Sequence, residues 1–113
     1  ALLRRVDREH EEGDMLSFDR LSLDPARHTV KWAGEGVHLT AKEFALLAAL
    51  LAARGRVLSR QTLLEQVWGY SYAEGTRTVD VHVRRLREKL PGLAPCIVTV
   101  KSLGYRLSRE GEP

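Results

Sequence analysis

The sequence predicts an α+β domain in which a four-stranded antiparallel sheet is followed by three helices and a β-hairpin. Three observations carry that reading. Short apolar alternations between Leu16 and Leu39 are punctuated by turn residues, the hydrophobic period becomes helical at Thr40, and two short apolar runs follow Pro91. At 113 residues the chain is one domain's worth of protein, and 43% hydrophobic with 29% charged residues is the balance of a folded globular unit.

Residues Ala1 to Gly13, ALLRRVDREHEEG, lose their apolar residues after Val6 and have linker composition, with Ala1 to Arg5 suited to the last turn of an upstream helix. The expected division is 1–13 as interdomain linker and 14–113 as the folded domain. The pairs Leu16/Phe18, Leu21/Leu23, Val30/Trp32 and Val37/Leu39 mark four strands, with Asp24-Pro25 and Gly34-Glu35-Gly36 as turns. Thr40-Ala41-Lys42-Glu43 is a capping box, in which the threonine oxygen accepts the Glu43 amide and the glutamate reaches back to the Thr40 amide. Phe44, Leu47, Leu50 and Leu51 then share one helix face, which ends near Gly55. Ser59 opens a second helix carrying Leu63, Leu64, Val67 and Trp68, and Gly69 closes it. A loop to Gly75 leads into a third helix, Thr76 to Leu90. Pro91, Gly92 and Pro95 stop it, and Ile97–Lys101 and Tyr105–Leu107 form a hairpin around Ser102-Leu103-Gly104.

Net charge is only +3, but the segment from Arg77 to Arg106 holds seven Lys or Arg against two acids. Basicity is local, and no amphipathic anchor accompanies it, which favours nucleic acid over a bilayer as the anionic partner. Cys96 is the single cysteine, so an internal disulfide is excluded and a reducing compartment fits. The longest apolar run, Phe44 to Ala53, falls short of the roughly 20 residues of a membrane crossing, and the chain shows no export-signal pattern. A cytoplasmic location is the expectation.

The third helix, TRTVDVHVRRLREKL, carries the functional argument. At about 100° per residue, Val79, Val83, Leu86 and Leu90 fall on one stripe that packs on the core. Val81 falls about 200° away, between Arg77, Arg84 and Arg85. Alanine, glutamate or lysine would serve an exposed helix better by a few tenths of a kcal/mol, so helix propensity does not explain the valine. Duplex DNA does. In a major groove an arginine forks onto guanine O6 and N7 while a small apolar side chain meets the thymine methyl. His82, Arg87 and Lys89 are expected to flank the reading face and meet phosphates. The hairpin, with Lys101, Tyr105 and Arg106, adds a second point of grip. Set against this, a single exposed valine is ordinary on a folded surface, and Trp68, ending a helix on its apolar side, reads as core.

The segments LTAKEFALLAALLAARGRVLSRQTLLEQVWG, TRTVDVHVRRLREKL and TVKSLGYRL closely resemble the DNA-binding effector domain of OmpR/PhoB-type response regulators, over about Met15 to Leu107. ALLRR resembles the end of the last helix of a receiver domain, which this sequence does not contain. The resemblance implies a winged helix-turn-helix fold, with Thr76 to Leu90 as recognition helix in the major groove and 97–107 as a wing on the adjacent backbone or minor groove. It implies two-component transcription control at direct-repeat promoter half-sites. The isolated domain would be a monomer that forms a head-to-tail homodimer on DNA once a receiver is phosphorylated by a cognate histidine kinase. Base reading falls on Val81, Arg84 and Arg85. Phosphate contact falls on Arg77, His82 and Arg87, wing contact on Thr99, Lys101 and Tyr105, and Trp68 becomes a backbone neighbour. The loop Tyr70, Ser71, Tyr72, Ala73, Glu74 and Gly75 corresponds to the segment that meets RNA polymerase. The family wing often reads Arg-Gly where this chain has Lys101-Ser102. Lysine lacks the planar fork, so phosphate contact is what Lys101 is expected to supply.

Catalysis has no matching constellation. His10, His28, His38 and His82 lack ligand spacing, and Asp80 and His82 project about 200° apart on a helix, so neither metal, cofactor nor enzymatic activity is expected. The competing function is a winged helix that docks an acidic protein, since fold alone does not settle function.

Overall fold

The computed structural model describes residues 15–69 and 75–108. The expected 1–13 linker and the loop residues 70–74 lie outside the described residues. Four short strands, β1 (Leu16–Phe18), β2 (Leu21–Asp24), β3 (Thr29–Trp32) and β4 (Glu35–Val37), form an antiparallel meander. Its core face is set by the register: Leu21 opposes Trp32, Leu23 opposes Val30, and Val30 opposes Val37. Leu21, Leu23 and Val30 are buried, while Ser22 and Lys31 alternate to the other face. The last strand and its turn differ from the expectation. The turn is Ala33-Gly34, both at positive φ (53° and 87°), and Trp32 pairs directly with Glu35. Two left-handed residues match the strand twist in a two-residue hairpin, so Glu35 and Gly36 belong to the strand and Leu39 lies past it.

Helix α1 (Ala41–Ala52) begins at Thr40, where both halves of the capping box are present: Thr40 N–H to Glu43 Oε1 at 2.9 Å and Glu43 N–H to Thr40 Oγ1 at 3.2 Å. It touches α2 (Arg60–Trp68), α3 (Arg77–Lys89), β1 and the last strand, and so forms the centre of the domain. Leu46, Leu47 and Leu50 are fully buried there. Ser59 caps α2 through Thr62 N–H, and Gly69 ends it at φ 104°. Val79, Val83, Leu86 and Leu90 are all buried, which places α3 as its periodicity required.

The C-terminal hairpin pairs β6 (Ile97–Val100) with β7 (Gly104–Leu107), numbered after a two-residue strand β5 (Leu58–Ser59) that adds to the far edge of β7. Lys101 therefore lies in the turn, not at the end of a strand, and Gly104 lies in β7, not in the turn. The reason is a close approach: a Cβ on Gly104 would sit 2.0 Å from the Leu58 carbonyl oxygen, so only glycine lets β5 pair there. Among the described residues, no helix is long and apolar enough to cross a membrane.

Candidate nucleic-acid interface

The outward face of α3 is open. Val81 is 39% exposed, while Arg77 and Arg85 are exposed beside it. The Arg84 side chain is 82% exposed and meets Glu88 only at 3.7 Å, a solvent-screened pair one helical turn apart. The three residues expected to read bases are thus brought together with their side chains outward. Arg87 and Lys89 in the last turn also complement the helix dipole.

The flanks are more committed than the sequence reading anticipated. His82 Nδ1 lies 2.8 Å from the Thr78 carbonyl oxygen. A carbonyl only accepts, so Nδ1 carries the hydrogen and the neutral ring presents a lone pair at Nε2. Trp68 is half-buried, packs on the core and meets the His82 ring edge-on at 4.8 Å. Lys42, which the sequence reading left unassigned, donates to the Val67 carbonyl at 3.1 Å and lies over the Trp68 ring at 5.8 Å. These contacts place a cation beside Trp68.

Lys89, expected on phosphate, is instead an internal partner. Its Nζ is 2.6 Å from Oε1 of Glu43, which is 1% exposed. Burial by itself would raise the Glu43 carboxyl, but the hydrogen bonds from Lys89 and the Thr40 amide, with the Lys89 charge, hold it below its ordinary value. One glutamate thereby caps α1 and ties down the end of α3.

The wing joins α3 through a polar network. Arg87 Nη2 donates to the Ile97 carbonyl at 2.6 Å and to Thr99 Oγ1 at 2.9 Å, so Arg87 and Thr99 sit together. Lys101 is exposed at the tip beside Ser102, which takes φ 68° where glycine would be unstrained. Leu103 is 59% exposed. Tyr105 is 4% exposed, which leaves its ring almost no surface to offer a duplex. Its hydroxyl donates to Asp80 Oδ1 at 2.6 Å, and Arg60 Nε donates to the same oxygen at 2.8 Å. Burial, then the bond to Asp80, pushes the tyrosine hydroxyl above its ordinary value and keeps it a donor. The bond to Asp80 likewise raises Arg60. The guanidinium groups of Arg60 and Arg87 lie 5.3 and 6.0 Å from the Tyr105 ring centre. Sequence reasoning missed Arg60 and Asp80 as a pair. The available signal was a lone acid in the first turn of a basic helix. Of the expected polymerase loop, Gly75 is exposed at φ 85° and Tyr70 to Glu74 lie outside the described residues.

Comparison with known proteins bears on this surface. A family model described as transcriptional regulatory protein, C terminal, matches residues 34–107. The transcriptional regulatory protein VxrB of Vibrio cholerae is 42% identical over 107 residues, which cover 95% of this chain and 42% of that protein. The DNA-binding response regulator MtrA of Mycolicibacterium smegmatis is 44% identical over 109 residues, covering 94% and 47%. The chain spans about half the length of the curated relatives it matches. Among solved structures, the Klebsiella pneumoniae RstA DNA-binding domain in complex with the RstA box superposes with TM-score 0.74 at 34% identity, covering 83% of this chain and 96% of that one. The DNA-binding domain of CpxR from E. coli gives the same TM-score at 33% identity, covering 83% and 95%. Fold, recognition-helix surface and relatedness agree: the chain belongs to the transcriptional regulatory protein C-terminal family, the winged-helix effector domains of OmpR/PhoB-type response regulators.

Proposed function

We propose that this domain binds promoter DNA sequence-specifically, with Val81, Arg84 and Arg85 reading base edges in the major groove. The observation that carries the reading is the outward face of α3: an exposed valine set among arginines whose guanidinium groups are open to solvent. Arginine forks select guanine and the valine meets a thymine methyl, at about 1–3 kcal/mol of discrimination for a good bidentate pair. Arg77, His82 and Arg87 from the helix, with Thr99 and Lys101 from the wing, position the duplex through phosphates. Trp68 supports His82, and Tyr105 supports the wing from inside. The complex of the RstA DNA-binding domain with the RstA box, on a related fold, supports DNA as the partner.

In the longer protein, the domain controls transcription as the output half of a two-component response regulator in the cytoplasm. It binds direct-repeat half-sites as a head-to-tail homodimer, under a receiver phosphorylated by a histidine kinase. Residues 70–75 meet RNA polymerase. The test is duplex binding across a salt series, with a selected site and its scrambled counterpart. Log affinity should fall with log salt at a slope near −0.9 per phosphate neutralised, and the selected site should bind about 10³-fold or more tighter at matched salt. Equal affinity for both duplexes overturns the reading in favour of a module that docks acidic protein surfaces.

A further inference from the structure

A carboxylate on the recognition helix of a domain that binds a polyanion calls for an explanation. Asp80 lies one residue before Val81, and its side chain is 41% exposed. Left to itself it would repel phosphates. Its Oδ1, however, receives two bonds from different elements: Arg60 Nε at the start of α2 and the Tyr105 hydroxyl on β7. Asp80 thereby links the recognition helix to both α2 and the wing. The Arg87 contacts to Ile97 and Thr99 make a second tie from the same helix to β6.

We propose that Asp80 is a positioning residue for DNA binding, fixing the wing against the recognition helix so that the two meet one duplex together. This rests on the DNA-binding reading above and adds the device that couples its two points of contact. The geometry suits the task. One oxygen atom holds a hydroxyl at 2.6 Å and a guanidinium at 2.8 Å, so rotation of the hairpin as a body about α3 must break the Tyr105 bond. The bond to Arg60 also neutralises the carboxylate and occupies a cation that would otherwise face solvent.

Charge alone and a positioning role for Asp80 give opposite signs. Replacing Asp80 with Ala removes a negative charge and releases Arg60, so electrostatics alone would tighten binding. Positioning requires the reverse. The experiment is a double-mutant cycle on the full chain and a selected duplex at fixed salt, combining Asp80→Ala with Lys101→Ala. Asp80→Ala, which removes the oxygen that accepts both bonds, should weaken binding about tenfold, and Lys101→Ala, which weakens the wild type several-fold, should change affinity less than about twofold in the Asp80→Ala background. Tyr105→Phe, which removes only the hydroxyl, should reproduce the loss of coupling and keeps the test decisive if the Asp80→Ala variant unfolds. Binding that is unchanged or tighter in Asp80→Ala, or a Lys101 effect of equal size in both backgrounds, overturns the proposal. A wild-type chain that binds no duplex fails the DNA reading itself, and this inference with it.

Discussion

Glu43 is the residue whose loss the structure weighs most clearly. Glu43→Ala removes the acceptor for the Thr40 amide, half of a capping box and worth about 1 kcal/mol. It also removes a 2.6 Å charge-assisted bond from Lys89, a type worth about 1.5–3 kcal/mol when well shielded. The Lys89 side chain is 35% exposed and can return to water, so the lower end applies. The loss is then about 2–3 kcal/mol, or a drop in Tm of about 10–20 °C at about 4–8 °C per kcal/mol for a domain of this size. Glu43→Gln keeps an acceptor and loses only the charge, so it should fall between the wild type and Ala. The carboxyl is held below its ordinary value in the folded state, so its contribution is present above the unfolded value of 4.5 and is lost as pH falls through the lowered folded value. Wild type and Glu43→Gln should therefore differ at neutral pH and converge in acid. Thermal unfolding by circular dichroism between pH 3 and 7 reads both effects. A Gln variant as stable as the wild type at pH 7, or a gap that widens in acid, refutes the reasoning.

Gly104→Ala places a Cβ against the Leu58 carbonyl, and should destabilise the domain by about 2 kcal/mol or more and loosen β5 from β7, visible in denaturant midpoints and amide exchange at Leu58 and Ser59. Ser102→Gly relieves a left-handed residue at φ 68° and should raise stability by up to about 1 kcal/mol; a lower Tm would contradict the strain argument. Arg87→Ala removes the bonds to Ile97 and Thr99 and should reduce duplex affinity on all sequences alike, together with a shallower salt slope. Val81→Ala, at a position 39% exposed, should leave stability within about 0.5 kcal/mol of wild type while changing affinity for sites with thymine at one position.

Much of this molecule is local and therefore legible in sequence. The α1 capping box, the Ser59 and Gly69 ends of α2 and the buried stripe of α3 depend on residues within a turn or two of each other, and each stands as expected. The outward face of α3 was legible for the same reason, because a wheel that buries Val79 must expose Val81. What escaped depends on distant chain segments. Lys89 reads as a flanking cation until Glu43, far back in sequence, is brought beneath it. Tyr105 reads as a wing contact until Asp80 and Arg60 claim its hydroxyl and its burial. Strand β5 is two residues long and carries no period of its own; it exists because Gly104 lets Leu58 approach. The Ala33-Gly34 turn needed an alanine at positive φ, a conformation that residue type does not advertise.

The central claim is that the solvent-facing side of α3 discriminates bases. In vitro selection of duplexes with the wild type and with Arg85→Ala tests it most directly. The wild type should return a defined motif, and the variant should return the same motif with preference relaxed at one base pair, at a loss of about 1–3 kcal/mol on the best site. A variant that recovers the unaltered motif, with affinity lowered equally on every sequence, would contradict the account.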